Sequence, residues 1–200
     1  MTCTIISFYA DRETNKNVDT DTSTYYSDHA KRLTEELKKI DIPHDIRELK
    51  SQNNYMKNCL MKPGFILSML EEKKSPVLWM DIDCLVKDFP KDFADSEYDI
   101  CFVKRDKRVP ESCFIYFNYT KNSLNFIKEW KNICDNSSRN LDHLVLIELY
   151  SKYKDLIKIK EYPWYYANPQ NLPEVRILML SSKFSDKRQT EIKIQKEGSL

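Results

Sequence analysis

Two carboxylates, Asp81 and Asp83, follow a short apolar run near the middle of the chain and are separated by one residue. The run, residues 76–80, is continuously apolar, which is typical of a strand buried on both faces. Residues two apart in an extended segment point to the same side, so both carboxylates can approach one hard cation. Such a cation can bind a diphosphate and neutralise charge on it. The pattern favours a metal-assisted site over a solvated turn that merely begins with two acids.

Alternating strands and helices surround this pair and must position it. Apolar residues spaced three and four apart from Tyr26 to Ile40 predict a helix, because that spacing places them on one helical face. The other predicted helices cover residues 55–74, with an interruption at 62–64, and residues 124–133 and 141–150. The predicted strands cover residues 4–9, 43–49, 76–80, 98–103, 113–117, 156–159 and 175–180.

This alternation predicts an α/β fold with a single domain over residues 1–182, in which helices flank a mostly parallel central sheet. Ligands of such sheets bind just outside the carboxyl ends of the strands, and Asp81 and Asp83 follow such an end. Residues 183–200 are polar and charged, and are predicted to form a C-terminal tail or the start of a linker.

Composition excludes several kinds of binding protein. Lys and Arg number 32 against 31 Asp and Glu, a balance that argues against nucleic acid or an anionic membrane as the partner. With only 2 glycines, the chain lacks the glycine-rich loops that hold phosphates through backbone amides. No apolar run approaches the roughly 20 residues that span a bilayer.

Six cysteines are scattered along the chain without a Cys-x-x-Cys pair or metal-finger spacing. Most lie in apolar runs, which is typical of reduced, buried thiols. The first residues lack the basic start and long apolar stretch of a signal peptide. These features predict a soluble protein of the cytoplasm, or of a host cytoplasm if viral, in a reducing compartment.

The segment Val77–Asp83, with Lys62–Leu67 before it and Val86 after it, resembles the Asp-x-Asp core of the GT-A nucleotide-sugar glycosyltransferases. It is most similar to the small soluble glycosyltransferase domains encoded by large DNA viruses such as those of chlorella. The likeness runs from the first strand to about Leu149. It implies transfer of a sugar from a nucleotide diphosphate sugar, namely a UDP-sugar, to a glycan or other hydroxyl acceptor, with Mn²⁺ or Mg²⁺ as cofactor.

The resemblance also implies roles for individual residues. Asp83 corresponds to the direct metal ligand, and Asp81 to a residue that bridges the metal and the ribose or donor sugar. Lys62 corresponds to a lysine whose ammonium reaches ribose or phosphate. The first strand and its turn correspond to the nucleotide-base site, with Tyr9 as the stacking partner of uracil: Ser7, Phe8, Tyr9, Ala10 and Asp11.

On the acceptor side, the resemblance matches Asn140-Leu141-Asp142-His143 to a motif that opens a helix, with Asp142 facing the acceptor. Asp142 is the predicted catalytic residue, a general base if the reaction inverts configuration. The alternative is an acid that only stabilises a helix N-terminus. Ser112–Asn118 matches a segment beside the acceptor. No histidine follows His143, although many relatives supply a third metal ligand there.

Two further segments have both a functional and a plain structural interpretation. The run Lys104–Arg108 either covers a diphosphate or forms a solvated loop. The aromatic residues at 162–166 either form a platform for an acceptor sugar or pack in the core.

Two other functions stay open at this point. A phosphohydrolase of the haloacid-dehalogenase type also places Asp-x-Asp after an apolar strand, with the first Asp as nucleophile and the second as general acid. A non-catalytic domain that recognises a nucleotide or glycan is the third possibility. Metal-dependent turnover of a nucleotide sugar distinguishes all three.

Overall fold

The computed structural model describes residues 3–11, 24–104, 110–137 and 141–180. Its strands are β1 (Thr4–Tyr9), β2 (His44–Glu48), β3 (Val77–Met80), β4 (Cys84–Val86), β5 (Ile100–Val103), β6 (Phe114–Phe117), β7 (Ile159–Tyr162), β8 (Ala167–Asn168) and β9 (Ile177–Met179). Its helices are α1 (Tyr25–Lys39), α2 (Tyr55–Leu60), α3 (Lys62–Lys73), α4 (Lys121–Asp135) and α5 (Asp142–Tyr153). The predicted tail, residues 183–200, and most of the basic run at 104–108 lie outside the described residues.

Six strands form the central sheet in the order β2-β1-β3-β6-β5-β7. The pairings of β1 with β2, β1 with β3, and β5 with β7 are parallel, whereas β6 runs antiparallel to both of its neighbours. The predicted α/β fold with a mostly parallel sheet flanked by helices is therefore confirmed. β3 lies between β1 and β6, so the carboxylates follow a central strand.

The continuous apolar run of β3 is covered on both faces, as predicted. Leu78 and Met80 pack in a core cluster that includes Leu33 and Leu37 of α1. Val77 and Trp79 point to the opposite face and pack in a second cluster with residues of α3, α4 and α5. Alternate side chains of one strand thus anchor two layers, and all four residues are buried.

The end of the chain folds differently from the prediction. The predicted strand at 175–180 does not close the central sheet, because Ile177–Met179 pairs with β4 and β8 in a separate three-stranded sheet. The predicted strand at 156–159 begins only at Ile159, since Leu156 is exposed in the preceding turn. β4 was not predicted, because its three residues are too few to show an alternating apolar pattern.

The helices follow the predicted positions. The predicted interruption within residues 55–74 is present, but it lies at Met61, between α2 and α3, rather than at 62–64. In α5, Leu144 is exposed, and the helix is anchored to the core through Val145 and Leu146 together with Leu149. No helix among the described ranges is long and apolar enough to cross a bilayer. All six cysteines are free thiols.

Candidate active site

An open cleft lies at the carboxyl edge of β1 and β3, where α/β sheets bind ligands. It brings together the end of the first strand, the start of α3 and the turn after β3. The lining residues are Phe8, Tyr9, Ala10, Tyr26, Tyr55, Asn58, Cys59, Lys62, Trp79, Asp81, Ile82, Asp83 and Leu180.

The turn after β3 presents both carboxylates to this cleft. The Asp81 amide donates to the Cys113 carbonyl at 2.8 Å, which continues the sheet one residue beyond β3. The Cys84 amide then donates back to the Asp81 carbonyl at 3.0 Å and closes the turn. Ile82 between the two acids is buried in the core. Asp81 and Asp83 thus follow the carboxyl end of β3, as predicted, but they lie on a turn rather than on an extended segment, and both line the cleft.

Trp79 orients the Asp81 carboxylate. Its indole Nε1 donates to Asp81 Oδ1 at 2.7 Å. The two side chains meet because residues two apart lie on the same face of an extended segment. The indole itself packs against Phe8 and Phe65, with ring centroids 5.5 and 6.0 Å away. A fixed ring therefore holds one oxygen of a carboxylate whose side chain is 30% exposed.

Lys62, the first residue of α3, places a buried ammonium beneath the cleft. Its side chain is 8% exposed, and Nζ lies 2.9 Å from Asp81 Oδ1 and 2.9 Å from Asp142 Oδ2. Nζ also donates to the Ser112 carbonyl at 3.2 Å. Burial acts to lower the pKa of Lys62, but the Asp142 and Asp81 carboxylates outweigh it, so the pKa lies well above its usual value. The ammonium is an internal counter-ion shared by two acids.

Asp142 begins α5, and its side chain is only 5% exposed. Both its side chain and its backbone are fixed: the carboxylate pairs with Lys62, and the backbone carbonyl accepts the Trp130 indole N–H at 3.0 Å. Asp142 is not among the residues that line the cleft. The predicted role of Asp142 at the acceptor, and that of Lys62 at ribose or phosphate, stay predictions.

The first strand supplies part of the predicted base site. Phe8, Tyr9 and Ala10 line the cleft, and the Tyr9 hydroxyl donates to Glu48 Oε2 at 3.3 Å. Ser7 and Asp11 are not in the lining: Ser7 is fully buried in the sheet. Asp11 Oδ1 accepts the amides of residues 26 and 27 at 2.9 and 3.2 Å, and so ties the start of α1 to the end of β1.

Four lining residues from α1 and α2 were not anticipated from the sequence: Tyr26, Tyr55, Asn58 and Cys59. Each tyrosine lies in the first turn of its helix. Burial raises the pKa of Tyr55 and raises that of the Cys59 thiol to about 12, so both stay protonated at neutral pH. Asn58 is fixed by the Gln52 amide, which donates to its Oδ1 at 2.8 Å. In the sequence, each of the first two predicted strands is followed by a helix with a tyrosine in its first turn, and this repeated pattern is the signal that could have identified Tyr26 and Tyr55.

The aromatic segment at 162–166 contributes to the core rather than to the cleft. Tyr162 and Tyr166 are buried and pack around Phe93, with their hydroxyls donating to Asp92. Tyr165 is exposed at the rim of a separate shallow groove. The core interpretation therefore holds for Tyr162 and Tyr166.

The chemistry of the carboxylate pair fits Mg²⁺ or Mn²⁺. Among the described residues, no group of three or more His, Cys, Asp or Glu side chains is arranged to hold a metal. Mg²⁺ needs no such cage, because proteins bind it through one or two carboxylates while substrate phosphates and water complete the oxygen shell, and Mn²⁺ also takes oxygen ligands. Asp81 and Asp83 are two such carboxylates on one turn of the cleft.

Comparison with solved structures supports the fold. The chain superposes with a TM-score of 0.66 on the crystal structure of a glycosyltransferase involved in the glycosylation of the major capsid of PBCV-1. The alignment covers 97% of this chain and 100% of that one, at 14% sequence identity. The predicted likeness to a viral glycosyltransferase is thus confirmed at the level of the fold.

A nucleoside-diphosphate-sugar pyrophosphorylase from Vibrio cholerae RC9 superposes less well, with a TM-score of 0.48 and 10% identity over 94% of this chain and 99% of that one. That superposition is too poor to establish a common fold. The sequence itself matches no family model and no curated protein. The comparisons therefore show only the fold, which this chain shares with the viral glycosyltransferase.

Proposed function

We propose that this protein is a metal-dependent glycosyltransferase that moves a sugar from a UDP-sugar to a glycan or other hydroxyl acceptor. The observation that carries the proposal is the pair Asp81 and Asp83 on a fixed turn that faces an open cleft at the carboxyl edge of the sheet. The whole-chain superposition on a viral glycosyltransferase supports it.

In the proposed donor complex, Asp83 is the direct ligand of Mn²⁺ or Mg²⁺, and Asp81 bridges the metal and the ribose or donor sugar. When bound, the cation neutralises negative charge on the diphosphate. Among the described residues, Asp81 and Asp142 share the single ammonium of Lys62, and the Asp81 side chain is still 30% exposed, which supports a cation as its further partner.

The nucleotide base is proposed to stack on Tyr9, beside Phe8 and Ala10 at the end of β1. An aromatic ring with a polar tip suits a flat heterocycle, and the Tyr9 hydroxyl is steadied by Glu48. Ser7 and Asp11 support this strand end from inside the sheet and from the start of α1.

Asp142 is proposed as the acceptor-side acid. Its carboxylate lies across one ammonium from Asp81, which supports a place next to the reacting groups. In that role it would come within hydrogen-bond reach of the acceptor hydroxyl, as a general base must.

The decisive experiment measures UDP release from a panel of UDP-sugars with and without Mn²⁺. The wild type is compared with Asp83→Ala and with Asp135→Ala, a half-exposed acid on α4 that serves as the control. Mn²⁺-dependent release that Asp83→Ala loses and Asp135→Ala keeps is the expected result.

Other outcomes identify the other functions. Absence of binding and of turnover with every nucleotide sugar and metal overturns the proposal. Release of phosphate from a phosphomonoester in place of UDP identifies a phosphohydrolase. Binding of UDP without any turnover identifies a recognition domain.

A further inference from the structure

The strand that follows the carboxylate turn has one edge without a strand partner among the described residues. β4 pairs with β9 on one side only and ends the three-stranded sheet. Its other edge faces α1. Two side chains of α1 form hydrogen bonds with the backbone of β4 along this edge. Arg32 Nη2 donates to the Cys84 carbonyl at 2.6 Å, and the Val86 amide donates to Glu36 Oε2 at 3.1 Å.

Arg32 and Glu36 act on this edge as a neighbouring strand would. An extended chain presents a C=O and an N–H along the same edge at residues two apart, and each requires a partner when buried. Arg32 supplies a donor and Glu36 an acceptor. The two residues are one helical turn apart and face the same side of α1, with Arg32 Nε 3.3 Å from Glu36 Oε1.

The pair is shielded from water, which distinguishes it from an ordinary surface ion pair. The side chains of Arg32 and Glu36 are 19% and 22% exposed. Burial raises the pKa of Glu36, although Arg32 and the Val86 amide oppose the shift. Hydrogen bonds from charged groups at such a site are stronger and better ordered than at the surface.

The hydrogen bonds of Arg32 and Glu36 hold the strand that directly follows the turn with Asp81 and Asp83. Cys84, whose carbonyl Arg32 holds, directly follows Asp83, and its amide closes the turn on the Asp81 carbonyl. The same helix is tied to the end of β1 through Asp11. α1 therefore connects the two edges of the cleft through side-chain to backbone hydrogen bonds.

We infer that Arg32 and Glu36 are positioning residues that hold the Asp81–Asp83 turn in the geometry that binds a divalent cation with a nucleoside diphosphate. The inference rests on the proposed function for the identity of the ligand. Neither residue lines the cleft, so neither touches the donor. Outer partners that orient metal ligands contribute about 10- to 100-fold to metal affinity.

The test uses Arg32→Met, which removes the guanidinium and keeps an unbranched stem, and Glu36→Gln, which keeps an acceptor for the Val86 amide. Lys152→Met is the matched control, since it removes a helical cation from its ion pair with Glu129 elsewhere in the protein. Mn²⁺ affinity in the presence of UDP is measured by electron paramagnetic resonance. Amide hydrogen exchange over residues 81–86 is measured on the metal-free proteins.

We expect Arg32→Met to weaken Mn²⁺ binding by about 10- to 100-fold and to speed exchange over residues 81–86. Glu36→Gln follows in the same direction with a smaller effect, and Lys152→Met matches the wild type in both measurements. Wild-type affinity in Arg32→Met and Glu36→Gln overturns the inference, as does lost affinity with unchanged exchange. Failure of the wild-type protein to bind Mn²⁺ with UDP instead overturns the proposed function.

Discussion

Replacing Lys62 with Met tests whether one ammonium holds the site together. Methionine keeps the unbranched stem and removes the charge that Asp81 and Asp142 share. Asp142 then keeps a carboxylate that is 5% exposed and has lost its cation. Asp81 loses the same partner but keeps the Trp79 indole and part of its exposure to water. Most of the expected loss of stability in Lys62→Met therefore comes from the unpaired Asp142 carboxylate.

The size of the effect follows from burial. Removing one partner of a buried ion pair costs about 3–5 kcal/mol, because the remaining charge is left uncompensated in a poorly solvated place. Lys62 serves two carboxylates and the Ser112 carbonyl, so we expect a loss of about 3–5 kcal/mol in the free energy of unfolding at pH 7. Domains of this size have only about 5–15 kcal/mol in total.

The assay is urea unfolding followed by tryptophan fluorescence and circular dichroism on five proteins: the wild type, Lys62→Met, Asp142→Asn, the double variant and the control Lys152→Met. Asp142→Asn removes the charge that Lys62→Met leaves unpaired. The double variant should therefore be more stable than Lys62→Met alone, with a coupling energy of about 1–3 kcal/mol. Lys152→Met, which breaks a half-exposed pair, should cost no more than about 1 kcal/mol.

Two results would refute this reasoning. A loss below about 1 kcal/mol in Lys62→Met would place the contact among exposed ion pairs. A double variant whose loss equals the sum of the two single losses would show that Lys62 and Asp142 do not interact energetically.

Three further predictions concern residues around the cleft and on the adjoining β2 strand. Asp142→Asn should slow sugar transfer by about 10²–10⁴-fold and leave UDP affinity nearly unchanged; a wild-type rate would make Asp142 purely structural. Asp11→Ala should lower the free energy of unfolding by about 1 kcal/mol through loss of the bonds to the start of α1, as measured in urea. The Arg47 guanidinium holds the pKa of Asp45 at about 2, below its value in the unfolded chain. Its stabilisation is thus present above pH 4 and lost as the pH falls through about 2, so Asp45→Asn should cost about 1 kcal/mol at pH 7 and nothing well below pH 2 in acid-unfolding curves.

The position of the carboxylate pair could be predicted because it depends on local pattern. Four apolar residues without alternation require cover on both faces, and the structure places β3 in the centre of the sheet between two helical layers. The acids that end such a strand must then lie at its carboxyl edge. The apolar stripe of α1 was equally informative, since Leu33 and Leu37 are fully buried.

The contact of Lys62 with Asp142 could not be predicted, because it joins residues 80 positions apart through tertiary packing alone. A lysine in the first turn of a helix is ordinarily solvated, and lysine is among the residues least often buried. Only the approach of α5 to α3 across α4 brings its partner within reach. Sequence periodicity predicts these helices but not which of their ends meet.

The small sheet escaped prediction for a different reason. β4 has only three residues, too few for an alternating pattern to be distinguished from a loop. A strand was predicted at 175–180, but no pattern indicated that β9 pairs with β4 rather than with the central sheet. The outer edge of β4 depends on Arg32 and Glu36, which in sequence look like an ordinary helical ion pair at four-residue spacing. Their second function as partners of a strand edge is visible only in three dimensions.

The composition of the chain explains why the site needs these internal charges. With 2 glycines, the chain has no glycine-rich loop whose backbone amides surround a diphosphate, and under the proposed function a cation held by side-chain carboxylates balances phosphate charge. Carboxylates gathered at one strand end repel each other when no cation is bound. The buried ammonium of Lys62 offsets that repulsion by pairing with Asp81 and Asp142. The hydrogen bonds of Arg32 and Glu36 hold the strand that follows the turn. Under the proposed function, the turn that carries Asp81 and Asp83 therefore takes the place of a glycine-rich phosphate loop.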